Sequence, residues 1–418
     1  MMRRPQITNW VPSVAWAIMV VATLGQVPPA VSQDVTGPRF RADGPRAEFY
    51  GLIENFPHCI GLAFVSENRC RVGAFSHFDS LFPARTIAAP DTPSRLGRAL
   101  QEPTVRYVFA GKEHTLDDYL DRRPISGFLL LKGDTILVER YQYGRMATHR
   151  LASFSMAKTI VGLLVGIAVS DGVIRSVDDL AEAYVPALKG SAYGPVRIKD
   201  LLLMKSGVFF REDYADPASD IYTLARLTLE QDPGGSVGAL RRFDWRRAPP
   251  GQLHSYSSAD TVALGLVLAA ATGRTVSDYA SQKLWHPLGA EADASWTIDA
   301  TGQEITYAYV NAVLRDWGRL GLMLARQGDW PAKGIVPRAW LEQSGTYAVD
   351  SGSALSTYGY HLWHSADRRR LFLWGLRGQY VMADPETGLV LVQTALSSDD
   401  FLDLELYELW RSIRMQLR

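Results

Sequence analysis

The sequence predicts an α+β fold: one antiparallel sheet built from both ends of the domain, flanked by helices, with a mainly helical region inserted. Three observations predict it. The run F-L-L-L, K-G-D, T-I-L-V-E-R-Y over residues 128–141 reads as a β-hairpin around a tight turn. Near the other end, L-F-L-W (371–374), Q-Y-V-M-A (379–383) and L-V-L-V-Q-T-A (389–395) are strand-like runs separated by G-L-R-G and D-P-E-T-G turns. Between these clusters, residues 155–345 mostly follow a helical pattern, so the two strand groups must meet around that insertion.

Taken in order, the chain opens with an export signature. Arg3 and Arg4 precede the apolar run 14–24, and Ala30-Val31-Ser32 offers a small-residue cleavage site. That run is short for a bilayer span, so a cleaved signal peptide over 1–32 and a periplasmic destination are expected. A retained N-terminal anchor is the alternative and the one expected route to a membrane. Residues 33–48 are rich in Gly, Pro and Arg and read as a linker, and 49–105 as an N-terminal extension ahead of a domain over 106–418. Cys59 and Cys70 fit either a disulfide, which an oxidising compartment would preserve, or two buried thiols. Two helical runs, T-V-A-L-G-L-V-L-A-A-A-T-G (261–273) and A-V-L-R-D-W-G-R-L-G-L-M-L-A-R-Q-G (312–328), each reach a glycine where helices commonly stop. A helical tail is expected from about Leu402.

Composition narrows the partners. Lys+Arg and Asp+Glu both total 44, a formal net charge of zero that gives no sign of a polyanion-binding surface and argues against nucleic acid. A content of 47% hydrophobic and 21% charged residues is that of an ordinary globular protein. It does not fix the oligomeric state.

The chemistry concentrates in S-F-S-M-A-K-T-I (153–160). Residues three apart share a helical face, so the Ser155 hydroxyl and the Lys158 amine can meet. Serine is a weak nucleophile that needs a base, and a lysine in apolar surroundings loses proton affinity and can serve as one. The plainer reading makes Ser155 a helix cap and lets Lys158 snorkel to water. The S-x-x-K spacing alone does not choose between them. Two later segments do. Tyr256 and Ser258 form Y-x-S after P-P-G-Q-L-H, and W-G-L-R-G-Q-Y (374–380) sets two glycines in a strand-rich stretch where a backbone can approach a ligand closely.

In this order the three motifs resemble serine hydrolases of the class C β-lactamase and penicillin-binding-protein group, above all its esterases and 6-aminohexanoate-dimer hydrolases. The likeness runs over about 106–418 and extends to L-L-L-M-K-S-G-V (201–208), D-Y-A-D-P-A-S-D (213–220), R-D-W-G-R-L-G (315–321) and Y-G-Y-H-L-W (358–363). It implies a β-lactamase/transpeptidase-like fold, an acyl-enzyme on Ser155, Lys158 as base and Tyr256 as proton carrier, with no cofactor or metal. It also implies an oxyanion hole from the backbone N–H groups of Ser155 and Gln379. Substrate contacts are expected at Ser258, Arg377, Gly378 and Asp216. Where the family carries K-T-G or H-x-G, this chain has Leu376, Arg377 and Gly378, and Ser258 stands where β-lactamases often have asparagine. Strand alternation would turn Arg377 away from the cleft. Both departures point from β-lactams toward a small ester or amide substrate. The alternatives are a D-Ala-D-Ala peptidase or β-lactamase-like activity, and a non-catalytic binding protein that keeps the fold.

Other motifs read as structural. Gly234-Gly235-Ser236-Val237-Gly238 matches the G-x-S-x-G nucleophile elbow, but helical sequence and D-P precede it where a strand is required, so a loop is expected. His361 and His364 lie on a strand-like aromatic alternation without companion ligands. His254 reads as a loop residue, and Asp216 equally as a cap for the helix after it.

Overall fold

The computed structural model describes residues 36–331, 334–397 and 404–418, so the leader and cleavage site expected over 1–32 lie outside the described residues. The main sheet has ten strands. Its centre is the pairing of Ile125–Lys132 with Leu389–Ala395, running antiparallel from Lys132 opposite Leu389 to Gly127 opposite Thr394. The hairpin partner Thr135–Tyr141 lies on one side. On the other side Gln379–Asp384, Leu371–Gly375, Leu362–Ser365, Ser356–Gly359 and Val349–Asp350 follow in turn. The central strands are buried along their length and read as continuous apolar runs because helices cover both faces.

The N-terminal segment departs from the linker-and-extension expectation. Arg39–Phe40 and Gly97–Arg98 pair in parallel with Thr135–Tyr141, adding two short parallel strands to a sheet expected to be antiparallel. Ala84–Ile87 joins Ala294–Thr297, Val310–Ala312 and Leu151–Ala152 in a second, four-stranded sheet. Residues 35–418 cluster as one unit, with no boundary at 105. Cys59 and Cys70 are joined by a disulfide, with Cα atoms 5.6 Å apart. A loop this short is stabilised by about 2–3 kcal/mol in the chain-entropy account.

A buried ion network ties this segment to the domain. Glu139 accepts from the Arg315 Nε at 2.8 Å and pairs with Arg98 of the N-terminal segment. Arg315 and Arg319 share Glu291, and Arg319 also holds Asp316 and the backbone oxygen of Ser94. Each buried charge has several partners, the condition for such groups to be tolerated in a low-dielectric interior.

Between the two halves of the sheet the helices run as the pattern indicates. Ser258–Thr272 ends at Gly273 in the left-handed conformation. Leu314–Ala325 stops short of Gly328, because Arg326 leaves helical geometry first. The tail is Leu404–Gln416.

Candidate active site

The site is built where the second sheet delivers its edge strand to a buried helix. Leu151–Ala152 pairs with Val310–Ala312, and Ser153 continues that register by donating its N–H to the Val310 carbonyl at 2.8 Å. The chain then turns sharply at Phe154, whose φ of +43° is costly for a residue with a side chain. Ser155 follows, and the helix Met156–Ser170 begins, buried from Met156 to Ala168. Ser155 makes no side-chain capping bond to that helix, so its hydroxyl is left for another partner.

That partner is the lysine one turn along. The Lys158 Nζ lies 2.9 Å from Ser155 Oγ and 3.0 Å from the Tyr307 carbonyl. Lys158 is 1% exposed, so it does not snorkel. Burial lowers its proton affinity to a pKa of about 8, with the Glu212 carboxylate pulling weakly the other way. Tyr256 closes the group. Its ring lies 5.1 Å from the amine, and its phenol is pushed well up, first by burial and then by Glu212, with a hydrogen bond to Ser155 working against that rise. At neutral pH the arrangement holds a hydroxyl, an amine close to losing its proton and a phenol that keeps its own. Such a group can move a proton off Ser155 and pass one onward.

Two spaces open from this point. A small pocket of about 50 Å³ includes Ser155, Phe154, Tyr307, Leu376 and Arg377, with Leu62, Phe64, Val65 and Phe75 of the N-terminal segment as a wall. A wide cleft of about 520 Å³ lies on the Tyr256 side, bounded by Arg211, Glu212, Arg247, Trp363 and Trp374. Trp363 stacks on both Tyr256 and Trp374, fixing the tyrosine ring from behind.

The remaining expectations divide. Gln379 does not line either space. It is 1% exposed within the sheet, opposite Gly375, and its side chain is spent on the Leu376 and Ala395 carbonyls. Gly375 packs closely on the strand that leads to the nucleophile, since a Cβ there would sit 2.3 Å from the Ser153 carbonyl oxygen, and Leu376 borders the small pocket together with Ser155. Arg377 does border the small pocket, against the expectation from strand alternation. The strand ends at Gly375, and Arg377 stands in the following turn with φ +68°. Gly378, at φ +91°, points instead to Ala395 and Gln393, away from the site. Ser258 is fully buried and donates its N–H and hydroxyl to Glu212 at 2.6 and 2.8 Å, so it supports the site without facing a ligand. Asp216 pairs with Arg211 and accepts from the Ala218 N–H, a local turn outside both spaces.

Glu212 is the residue that motif reading misses. It also accepts from the Tyr214 hydroxyl at 2.5 Å and so joins the Tyr256 helix start to the pocket wall. No local pattern marks it; its role exists only through partners 2 and 46 positions away. The rival serine, Ser236, lies in the short helix Gly235–Leu240 rather than a loop, with no strand before it, and both its N–H and its hydroxyl go to Asp299 at 2.6 Å. His361 sits in a turn at φ +61° and bonds Thr261 and the Leu202 carbonyl, while His364 bonds Ser344. His254 meets the Leu203 carbonyl at 2.8 Å. The three histidines have structural partners.

Comparison with known proteins gives a family and a fold. The Beta-lactamase family model matches residues 114–405. The chain is 29% identical over 341 residues to the 6-aminohexanoate-dimer hydrolase of Paenarthrobacter ureafaciens, covering 77% of this chain and 84% of that one. Among solved structures, one from Bacillus anthracis assigned as a 6-aminohexanoate-dimer hydrolase superposes with a TM-score of 0.74 at 20% identity, over 87% and 96% of the two chains. A penicillin-binding protein from Bacillus halodurans gives 0.54 at 16% identity, over 70% and 96%.

Proposed function

Since this chain belongs to the Beta-lactamase family, we propose that it is an exported serine hydrolase that cleaves an ester or an uncharged amide through an acyl-enzyme on Ser155. One observation carries the reading: a fully buried lysine amine held 2.9 Å from a serine hydroxyl that does not cap its helix. Lys158, with a pKa of about 8, removes the Ser155 proton as the oxygen attacks the carbonyl carbon. Tyr256, whose raised pKa keeps the phenol protonated, donates to the leaving atom as its bond to carbon breaks. The same pair then activates a water, which releases the acid and restores Ser155. The developing oxyanion is held by the N–H groups of Ser155 and Leu376, in place of the Gln379 expected from sequence. Export is supported by the disulfide, which persists in oxidising compartments.

The preference for esters and amides over β-lactams rests on the small pocket. Its walls are chiefly apolar and aromatic. Leu376 brings no charge for the carboxylate of a β-lactam or a peptide C-terminus, and Arg377, the one charged residue of the lining, stands in the turn beyond the strand end rather than at the position of the K-T-G lysine. A charge-assisted bond missing at that position is worth roughly 1.5–3 kcal/mol, about ten- to a hundredfold in kcat/KM. A fluorophosphonate probe should label Ser155, and p-nitrophenyl butyrate should be turned over faster than a chromogenic cephalosporin. Label on Ser236, or a faster cephalosporin, overturns the reading.

A further inference from the structure

The Cys59–Cys70 disulfide closes the loop that contains Leu62, Phe64 and Val65, three of the side chains walling the Ser155 pocket. The wall is rigid for physical reasons. Phe64 is 4% exposed and packs edge-on against Phe75 and Phe78, and Phe75 packs against Phe154, the strained residue next to the nucleophile. Arg69, inside the same loop, pairs with Glu54 and Glu67 and pins its outer side.

The two spaces at the site can be assigned. A leaving atom must receive its proton from Tyr256, and Tyr256 lines the wide cleft but not the small pocket. The leaving group therefore lies in the cleft and the acyl chain in the pocket. In the step, the bond from Ser155 Oγ to the acyl carbon forms, the bond from that carbon to the leaving oxygen breaks, and the serine proton is passed to that oxygen through Lys158 and Tyr256. A pocket of about 50 Å³ compares with the roughly 10–15 Å³ that one water needs, which leaves space for an acyl chain of only a few carbons. We propose that the disulfide-closed loop, with Phe75, is a specificity element that restricts the acyl group of the substrate to a short chain. This rests on the reading of Ser155 as nucleophile.

The test uses the oxidised full chain and p-nitrophenyl esters with one leaving group: acetate, butyrate and octanoate. Acetate or butyrate should exceed octanoate in kcat/KM by about tenfold or more, the scale of discrimination an apolar pocket provides. Phe75→Ala should raise the octanoate-to-butyrate ratio several-fold, and Cys59→Ser/Cys70→Ser should move it in the same direction. Val65→Ala, a milder change in the same wall, keeps the question answerable if either of those variants fails to fold. A wild-type optimum at octanoate, or a ratio unmoved in the folded wall variants while Ser155 still takes a fluorophosphonate label, overturns the specificity element alone. Absence of both labelling and ester cleavage in the wild type removes the nucleophile assignment and this inference with it.

Discussion

Ser155 and Ser236 offer the same chemical group at the start of a helix, and the molecule treats them in opposite ways. Ser155 faces a buried amine and an open pocket and leaves its helix uncapped. Ser236 is 1% exposed and gives its hydroxyl to the Asp299 carboxylate, which also takes its N–H. A carboxylate acceptor anchors a hydroxyl; a neutral amine in a dry setting can take its proton. The difference lies in the neighbour, and in whether a carbonyl carbon can reach the oxygen.

The largest test of this contrast is Ser155→Ala, which should end probe labelling and lower kcat/KM by about 10⁴-fold or more, as loss of a nucleophile does. Next is Lys158→Arg. It keeps a positive charge but supplies no usable base, because a guanidinium does not deprotonate in proteins, so turnover should drop by ~10²–10⁴-fold. Near-normal turnover would make Ser155 no better served than Ser236. The wild-type profile sharpens the point: kcat/KM should rise with pH and level off above an inflection near 8, where Lys158 becomes neutral.

Smaller effects appear in stability. The Lys158 pKa falls from 10.5 to about 8 on folding, so the native state resists the proton that the unfolded chain accepts. That penalty is complete below pH 8 and vanishes above 10.5, at about 1.4 kcal/mol per unit. Lys158→Met should therefore be inactive yet more stable than wild type by about 3 kcal/mol at pH 7, with the gap closing as pH rises toward 10.5. Thermal unfolding across that range checks both sign and window. Ser236→Ala should do the reverse: activity within a few-fold of wild type and stability lower by about 1–3 kcal/mol, because Asp299 loses a donor in a buried setting. An inactive but folded Ser236→Ala protein would break the comparison.

What could be read in advance follows the range of the interactions involved. The hairpin at 125–141 and the strands at 371–395 announce themselves through local alternation and turn residues, and S-x-x-K through helical spacing. The four-stranded sheet does not. Its strands are two to four residues long and pair Arg85 with Trp296 and Leu151 with Ala312, partners no local window contains. The N-terminal segment misleads for a similar reason, since its short strands form only against distant partners, two of them against Thr135–Tyr141 and a third against Ala294–Thr297. At the third motif, a turn replaces the last strand residues, so counting by twos turned Arg377 the wrong way.

The pairing of Lys132 with Leu389 at the centre of the main sheet also sets a timetable. Ribosomes add roughly 5–20 residues per second, so the first hairpin emerges on the order of 13–50 s before the strand that covers its open edge. During that interval Ile125–Lys132 is an apolar strand with unpaired backbone groups, a template for aggregation unless something holds it. A chain cut short before Leu389 never escapes that condition. Synthesis of Leu389–Ala395 is thus the event that commits the nascent chain to its fold, and secondary structure formed earlier awaits it.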